Sequence, residues 1–211
     1  MHPHAGQPPL VPCRAQGPGT ELFIVEGESA AGAVARVRDK AFQAVLALRG
    51  KPLNALRAPR GRVAGHAFFA ALSAALGVPL GGDGAASPAR YERLLLLMDP
   101  DADGIHCGAL VVAFLHRWMP FLLDRRCVEI VRPPWGEVVP TDGSEPALAW
   151  SDGELKALAA ARAAGAVARR FRGLAALDAA LLARTCVAPA TRRAHAVTQA
   201  DAAEIIVLLG E

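Results

Sequence analysis

A chain of 211 residues with 53% hydrophobic side chains is long enough to bury a sizeable core and too apolar for an intrinsically disordered protein. Its formal charge is only +3, from 23 Lys and Arg against 20 Asp and Glu, so net charge alone does not establish a nucleic-acid partner. Four cysteines without a C-x-x-C pair exclude a zinc ribbon and a disulfide framework, and no stretch reaches the roughly 20 apolar residues of a membrane helix, so a soluble cytoplasmic protein is expected.

Taken in order, residues 1–20 are rich in Pro and Gly, carry His2 and His4, and predict an irregular lead-in. Residues 21–25 predict a strand, Glu26-Gly27 a turn, and residues 29–37 a helix capped by Ser29. A second strand over 45–48 runs into the basic loop Arg49-Gly50-Lys51-Pro52, followed by a helix over 64–76 and a Gly-rich loop over 77–88. The apolar run Leu94-Leu95-Leu96-Leu97-Met98, closed by Asp99-Pro100, predicts a buried strand, because Pro100 disfavours helix just before it. A helix from about residue 105 to 118, stopped by Pro120, and a strand over 127–131 complete the alternation, which predicts an α/β fold: a Rossmann-like parallel sheet flanked by helices. Beyond about residue 137 the pattern turns mainly helical, over 152–164, over 178–184, and from a capping box at Thr198-x-x-Asp201 to Gly210. A small, mainly helical C-terminal appendage is expected there.

Asp99, Asp101 and Asp103 fall at the carboxyl end of the predicted strand, the edge at which open α/β sheets bind ligands. Three carboxylates at alternate positions repel one another unless a cation neutralises them, which reads as a divalent-metal site; an ordinary acidic turn is the competing reading. An EF-hand loop is excluded, since its twelfth position is Leu110 rather than Glu. Glu26 joins the cluster if the first and third strands adjoin, and is otherwise a turn acid. The spacing of Gly27 and Gly32 suggests a phosphate loop, but Ala33 and Val34 stand where Lys and Ser or Thr are required. Ser29 sits in an incomplete nucleophile elbow, with Ala31 in place of the last Gly, and reads better as a helix cap.

These motifs have a family likeness. Glu21-Leu22-Phe23-Ile24-Val25-Glu26-Gly27-Glu28-Ser29-Ala30, Phe42-Gln43-Ala44-Val45-Leu46-Ala47-Leu48-Arg49-Gly50-Lys51-Pro52-Leu53-Asn54 and Asp99-x-Asp101-x-Asp103-Gly104 resemble the Toprim region of bacterial type IIA topoisomerase B subunits, those of gyrase and topoisomerase IV. Trp118-Met119-Pro120, Arg132-Pro133-Pro134, Arg170-Phe171-Arg172-Gly173-Leu174 and Pro189-x-Thr191-Arg192-Arg193 extend the resemblance into the tail. It implies a Toprim domain over 21–136 and a gyrase-B-like tail over 137–211, without a counterpart of the family's ATPase and transducer domains. It further implies Mg²⁺-dependent DNA cleavage and religation by a tyrosine of a partner A subunit, with an ATPase subunit as a possible separate partner, in the nucleoid.

By position, Glu26 and Asp99 would hold the catalytic ion, Glu26 doubling as the acid/base, Asp99 and Asp101 would hold a second ion, and Asp103 would support it. Arg38, Arg49 and Lys51 would face DNA phosphates. Ala35 and Gly108 replace a family Lys and Arg, and Trp135-Gly136-Glu137 replaces Leu-Tyr-Lys. The metal acids are thus intact while several basic positions are gone, which leaves a non-catalytic Toprim paralogue that binds DNA or an A subunit as the alternative. A stand-alone nuclease or primase-like enzyme fits the gyrase-like tail poorly.

Overall fold

In the computed structural model, which describes residues 10–82, 89–162 and 165–209, the chain forms strand before the expected lead-in is over. A short β1 (Leu10–Val11) precedes β2 (Gly17–Glu26), whose first residues pair with the neighbouring strand across a register shift between Gly17 and Glu21. The Gly-Pro-Gly composition that argued against strand is accommodated by this irregularity. Helix α1 (Gly27–Val37) follows β2 directly, with Glu26 at its N-cap, so Ser29 lies inside the first turn and is not the cap. Then come β3 (Gln43–Leu48), α2 (Arg60–Ala64) and α3 (Ala67–Leu76); the single helix expected over 64–76 is broken at Gly65 and His66, where His66 is extended. Part of the Gly-rich loop, residues 83–88, lies outside the described residues, as do His2, His4 and Gly210.

The acid-bearing strand is β4 (Tyr91–Leu97), followed by α4 (Ala102–Trp118), α5 (Pro120–Asp124) and β5 (Val128–Val131). The C-terminal segment adds β6 (Gly136–Val139), β7 (Ala147–Ala149), α6 (Asp152–Ala160), β8 (Val167–Arg170), α7 (Ala179–Leu182) running into a π turn, β9 (Ala194–Ala196) and α8 (Gln199–Leu208). It is mainly helical, but β7, β6 and β8 form a small antiparallel sheet of their own. The capping box of α8 is present in both directions: Thr198 N–H donates to Asp201, and Asp201 N–H donates to Thr198 Oγ1.

The main sheet runs β1-β3-β2-β4-β5-β9. Its four central strands are parallel, and antiparallel β1 and β9 cover the two edges. Alternate residues of each strand feed two cores. Leu22, Ile24, Leu46, Leu94 and Leu96 pack with α3, α4 and Ala202 of α8, while Phe23, Val25, Val45, Leu95 and Leu97 pack with α1 and with Leu174, Leu177, Leu181 and Leu182 of the C-terminal segment. Because both faces are covered, the strands read as unbroken apolar runs rather than as alternating ones. The C-terminal segment closes one face of the sheet with α7, adds β9 to its edge and packs α8 on α4 and α5.

Candidate metal centre

Strands β2 and β4 lie side by side in parallel, with Val25 opposite Leu97. From β2 the chain turns through α1 to β3 on one side, and from β4 it turns through α4 to β5 on the other. This is the topological switch point of a parallel sheet, where diverging loops open a crevice at the carboxyl ends of the strands. Glu26 is the last residue of β2, and Asp99 stands two residues past the end of β4. The register thus brings the two acids, 73 positions apart in sequence, to one edge.

The Asp99-Pro100-Asp101 turn is held tightly. A Cβ at Gly104 would fall 2.2 Å from the carbonyl oxygen of Asp99, so the first turn of α4 sits directly on the strand end and only glycine fits there. Asp101 caps that helix, its Oδ1 accepting the N–H of Gly104 at 2.9 Å. Asp103 lies in the first turn and pairs through Oδ1 with Lys51 Nζ at 3.2 Å. Asp99 Oδ1 accepts the backbone N–H of Leu174 at 2.8 Å.

Glu26 is placed differently from the other three. Its Oε2 is buried without a hydrogen-bond partner, and its Oε1 lies 4.0 Å from the thiol of Cys107. Burial, and then the negative charges of Asp99, Asp101 and Asp103, push the Glu26 carboxyl above its ordinary value against a smaller opposing pull from Lys51. Asp99 is also raised, chiefly by burial, with the Leu174 N–H pulling the other way and Asp101 adding to the rise. The Cys107 thiol is pushed up to about 11, first by burial and then by the Glu26 charge, so it stays protonated at neutral pH.

All four predicted acids therefore stand at one edge of the sheet, where the three Asp charges act on Glu26 and that of Asp101 on Asp99. They are not drawn together as a finished cage: among the described residues no three His, Cys, Asp or Glu side chains stand as a ready-made ion site. Each Asp has a partner of its own, and an ion bridging the acids would compete with the helix cap at Asp101 and the Lys51 pair at Asp103.

Of the predicted DNA-facing cations, Arg49 and Lys51 follow the end of β3 on the acid edge, Arg49 pairing with Glu28 at 2.5 Å. Arg38 lies elsewhere. The 11 residues of α1 carry the chain about 16 Å back along the sheet, to the opposite edge. There the Arg38 guanidinium donates to the carbonyls of Gln43 and of Pro12, tying α1 to the start of β3.

Sequence reasoning passed over Arg170 and Arg172, which line a cleft of about 610 Å³ with Pro100, Asp101, Phe171 and Gly173. The guanidinium of Arg170 lies 4.0 Å from the centre of the Trp135 ring, which orients it. Their signal was the cluster Arg169-Arg170-x-Arg172 itself. The Leu174 amide carries no such signal, since every residue type but proline supplies an N–H.

Fold and crevice together define an α/β domain with a carboxylate-lined edge at its switch point. The Toprim domain profile matches residues 21–133, more than half of the chain, and the chain belongs to the Toprim family. Over 209 residues, 96% of its length, it is 34% identical to the B subunit of DNA topoisomerase 4 from Streptococcus pneumoniae. It is 34% identical over 207 residues, again 96% of its length, to the DNA gyrase B subunit of Archaeoglobus fulgidus, and 36% identical over 201 residues, 92% of its length, to that of Thermus thermophilus. The chain spans about a third of each relative, 32%, 32% and 31% in that order.

Proposed function

We propose that this chain is the Toprim portion of a type IIA DNA topoisomerase B subunit, supporting Mg²⁺-dependent DNA cleavage and religation by the tyrosine of an A subunit. Residues 21–136 form the Toprim unit in this reading and 137–211 its gyrase-B-like tail; DNA and an A subunit are its partners, in the nucleoid of the cytoplasm. No helix among the described residues is long and apolar enough to cross a membrane.

One observation carries the reading. A buried carboxylate oxygen without a hydrogen-bond partner, on a Glu26 raised first by burial and then by three nearby Asp charges, is what a hard divalent cation satisfies. Glu26 and Asp99 would hold the catalytic ion, and Asp99 and Asp101 a second one, with Asp103 in support. When bound, such ions stabilise charge on the attacked phosphate and on the leaving oxygen.

The protein's own groups do the rest. Glu26 is also the candidate acid/base for the sugar oxygen released by cleavage. Lys51 pairs with the exposed Asp103, a contact worth at most about 1 kcal/mol, so exchanging it for a DNA phosphate costs little. Tyr91, the sole tyrosine, is buried at the start of β4, at the edge opposite the acids, which leaves the nucleophile to a partner.

The second reading, a non-catalytic paralogue binding DNA or an A subunit, draws on the engagement of each Asp by a partner of its own and on the basic positions lost at Ala35 and Gly108. Calorimetric titration with Mg²⁺ tests the metal site. Heat in wild type that disappears in Asp101→Ala supports the catalytic reading, and equal heats would remove its basis.

A further inference from the structure

The C-terminal segment reaches Asp99 through its backbone. Leu174 opens a single turn of 3-10 helix, an end whose first N–H groups have no partner within the turn, and its N–H points at Asp99 Oδ1 over 2.8 Å. The preceding Gly173 has φ 109°, which side chains rarely adopt. A Cβ there would fall 2.6 Å from Asp99 Oδ2 and 3.1 Å from Oδ1, so the carboxylate lies in the space that a side chain would fill.

The segment is anchored on both sides of this contact. Upstream, Phe171 N–H donates to the Trp135 carbonyl at 3.0 Å. Downstream, Leu174, Leu177, Leu181 and Leu182 are buried against Phe23, Val25 and α1. The donor is held in place by packing rather than by the acid that it meets.

We propose that Gly173 and Leu174 are positioning residues for the metal centre: the Leu174 N–H and the bare face of Gly173 fix in one orientation the carboxylate of Asp99, which would hold the ions in that reading. The C-terminal segment thereby supplies the orienting donor that metal-ligating carboxylates generally need. This inference rests on the metal reading given above, but the contact itself can be tested separately.

Replacing the Leu174 amide by an ester, with the α-hydroxy analogue of leucine, removes the N–H and keeps the side chain. Mn²⁺ affinity measured by electron paramagnetic resonance should fall about 10–100-fold in the full-length ester protein, the usual cost of losing an orienting partner. Affinity within twofold of wild type would overturn the proposal. Gly173→Ala should show a similar loss, and if it does not fold the ester variant alone decides. Hydrogen exchange at the Leu174 amide separates the two claims. If wild type binds no Mn²⁺ the metal reading fails, and the positioning contact then stands if Leu174 exchanges at least tenfold faster in Asp99→Ala than in wild type. Equal exchange rates would overturn the contact as well.

Discussion

Arg192 and Glu21, 171 positions apart in sequence, meet as a two-pronged ion pair in the interior, with N–O distances of 2.6 and 2.8 Å and side chains 3% and 5% exposed. Gln43 Nε2 donates to the same carboxylate at 2.8 Å and to the Val187 carbonyl at 3.0 Å. The pair binds the last quarter of the chain to the start of β2, at the sheet edge away from the acids. Removing one partner strands a buried charge, so Arg192→Met should cost about 3–5 kcal/mol, whereas Arg192→Met with Glu21→Leu should recover most of it. Urea unfolding of the two variants checks this, and a single variant as stable as wild type would mean that the pair is not buried in solution.

The cluster of acids has the opposite effect on stability. Glu26 and Asp99 both sit above their ordinary values of 4.5 and 3.8, so between those values and the raised ones the folded protein binds more protons than the unfolded chain. Their contribution is fully present below the ordinary carboxyl range and is lost as the pH rises through the raised folded values, the reverse of a salt-bridged acid. In metal-free buffer at neutral pH, Glu26→Gln should therefore raise the melting temperature. The gain should shrink as the pH is lowered toward 4.5. A melting temperature unchanged or lowered at neutral pH would contradict the repulsion inferred among the four acids.

The cations divide by sheet edge. Lys51→Ala and Arg172→Ala should weaken binding of duplex DNA and reduce the slope of log affinity against log salt by about 1 each, as for a lost phosphate contact. Arg38→Ala should leave that slope alone and lower stability, because its guanidinium holds backbone carbonyls at the far edge. Fluorescence anisotropy across a salt series distinguishes the two outcomes.

What could be read from the sequence followed from periodicity and spacing. The run of leucines before Asp99 marked a strand buried on both faces, and the Asp-Pro stop put the acids at its carboxyl end. Glu26 could be joined to them only on the condition that the first and third strands adjoin, which the pairing of Val25 with Leu97 meets. Local rules misled where a neighbour outside the window decided. Ser29 is a good cap residue, but the helix starts two positions earlier, straight from β2. Gly17 and Gly19 pointed to loop, yet the main sheet extends to Gly17 through an irregular pairing with Tyr91. Arg38 was assigned to DNA by likeness, and the length of α1 takes it to the edge opposite the acids. The hold of Leu174 on Asp99 was out of reach, because a backbone N–H leaves no mark in composition.

The central claim is that these acids serve strand cleavage by a partner's tyrosine. The direct measurement mixes this protein with a cognate A subunit, supercoiled DNA and Mg²⁺ at low ionic strength, where the missing basic contacts matter least, and assays A subunit attached covalently to DNA. Wild type should yield the covalent complex and Glu26→Gln should not. Binding of the A subunit without any covalent complex, under conditions in which an authentic gyrase B subunit supports one, would contradict the account and leave the non-catalytic paralogue.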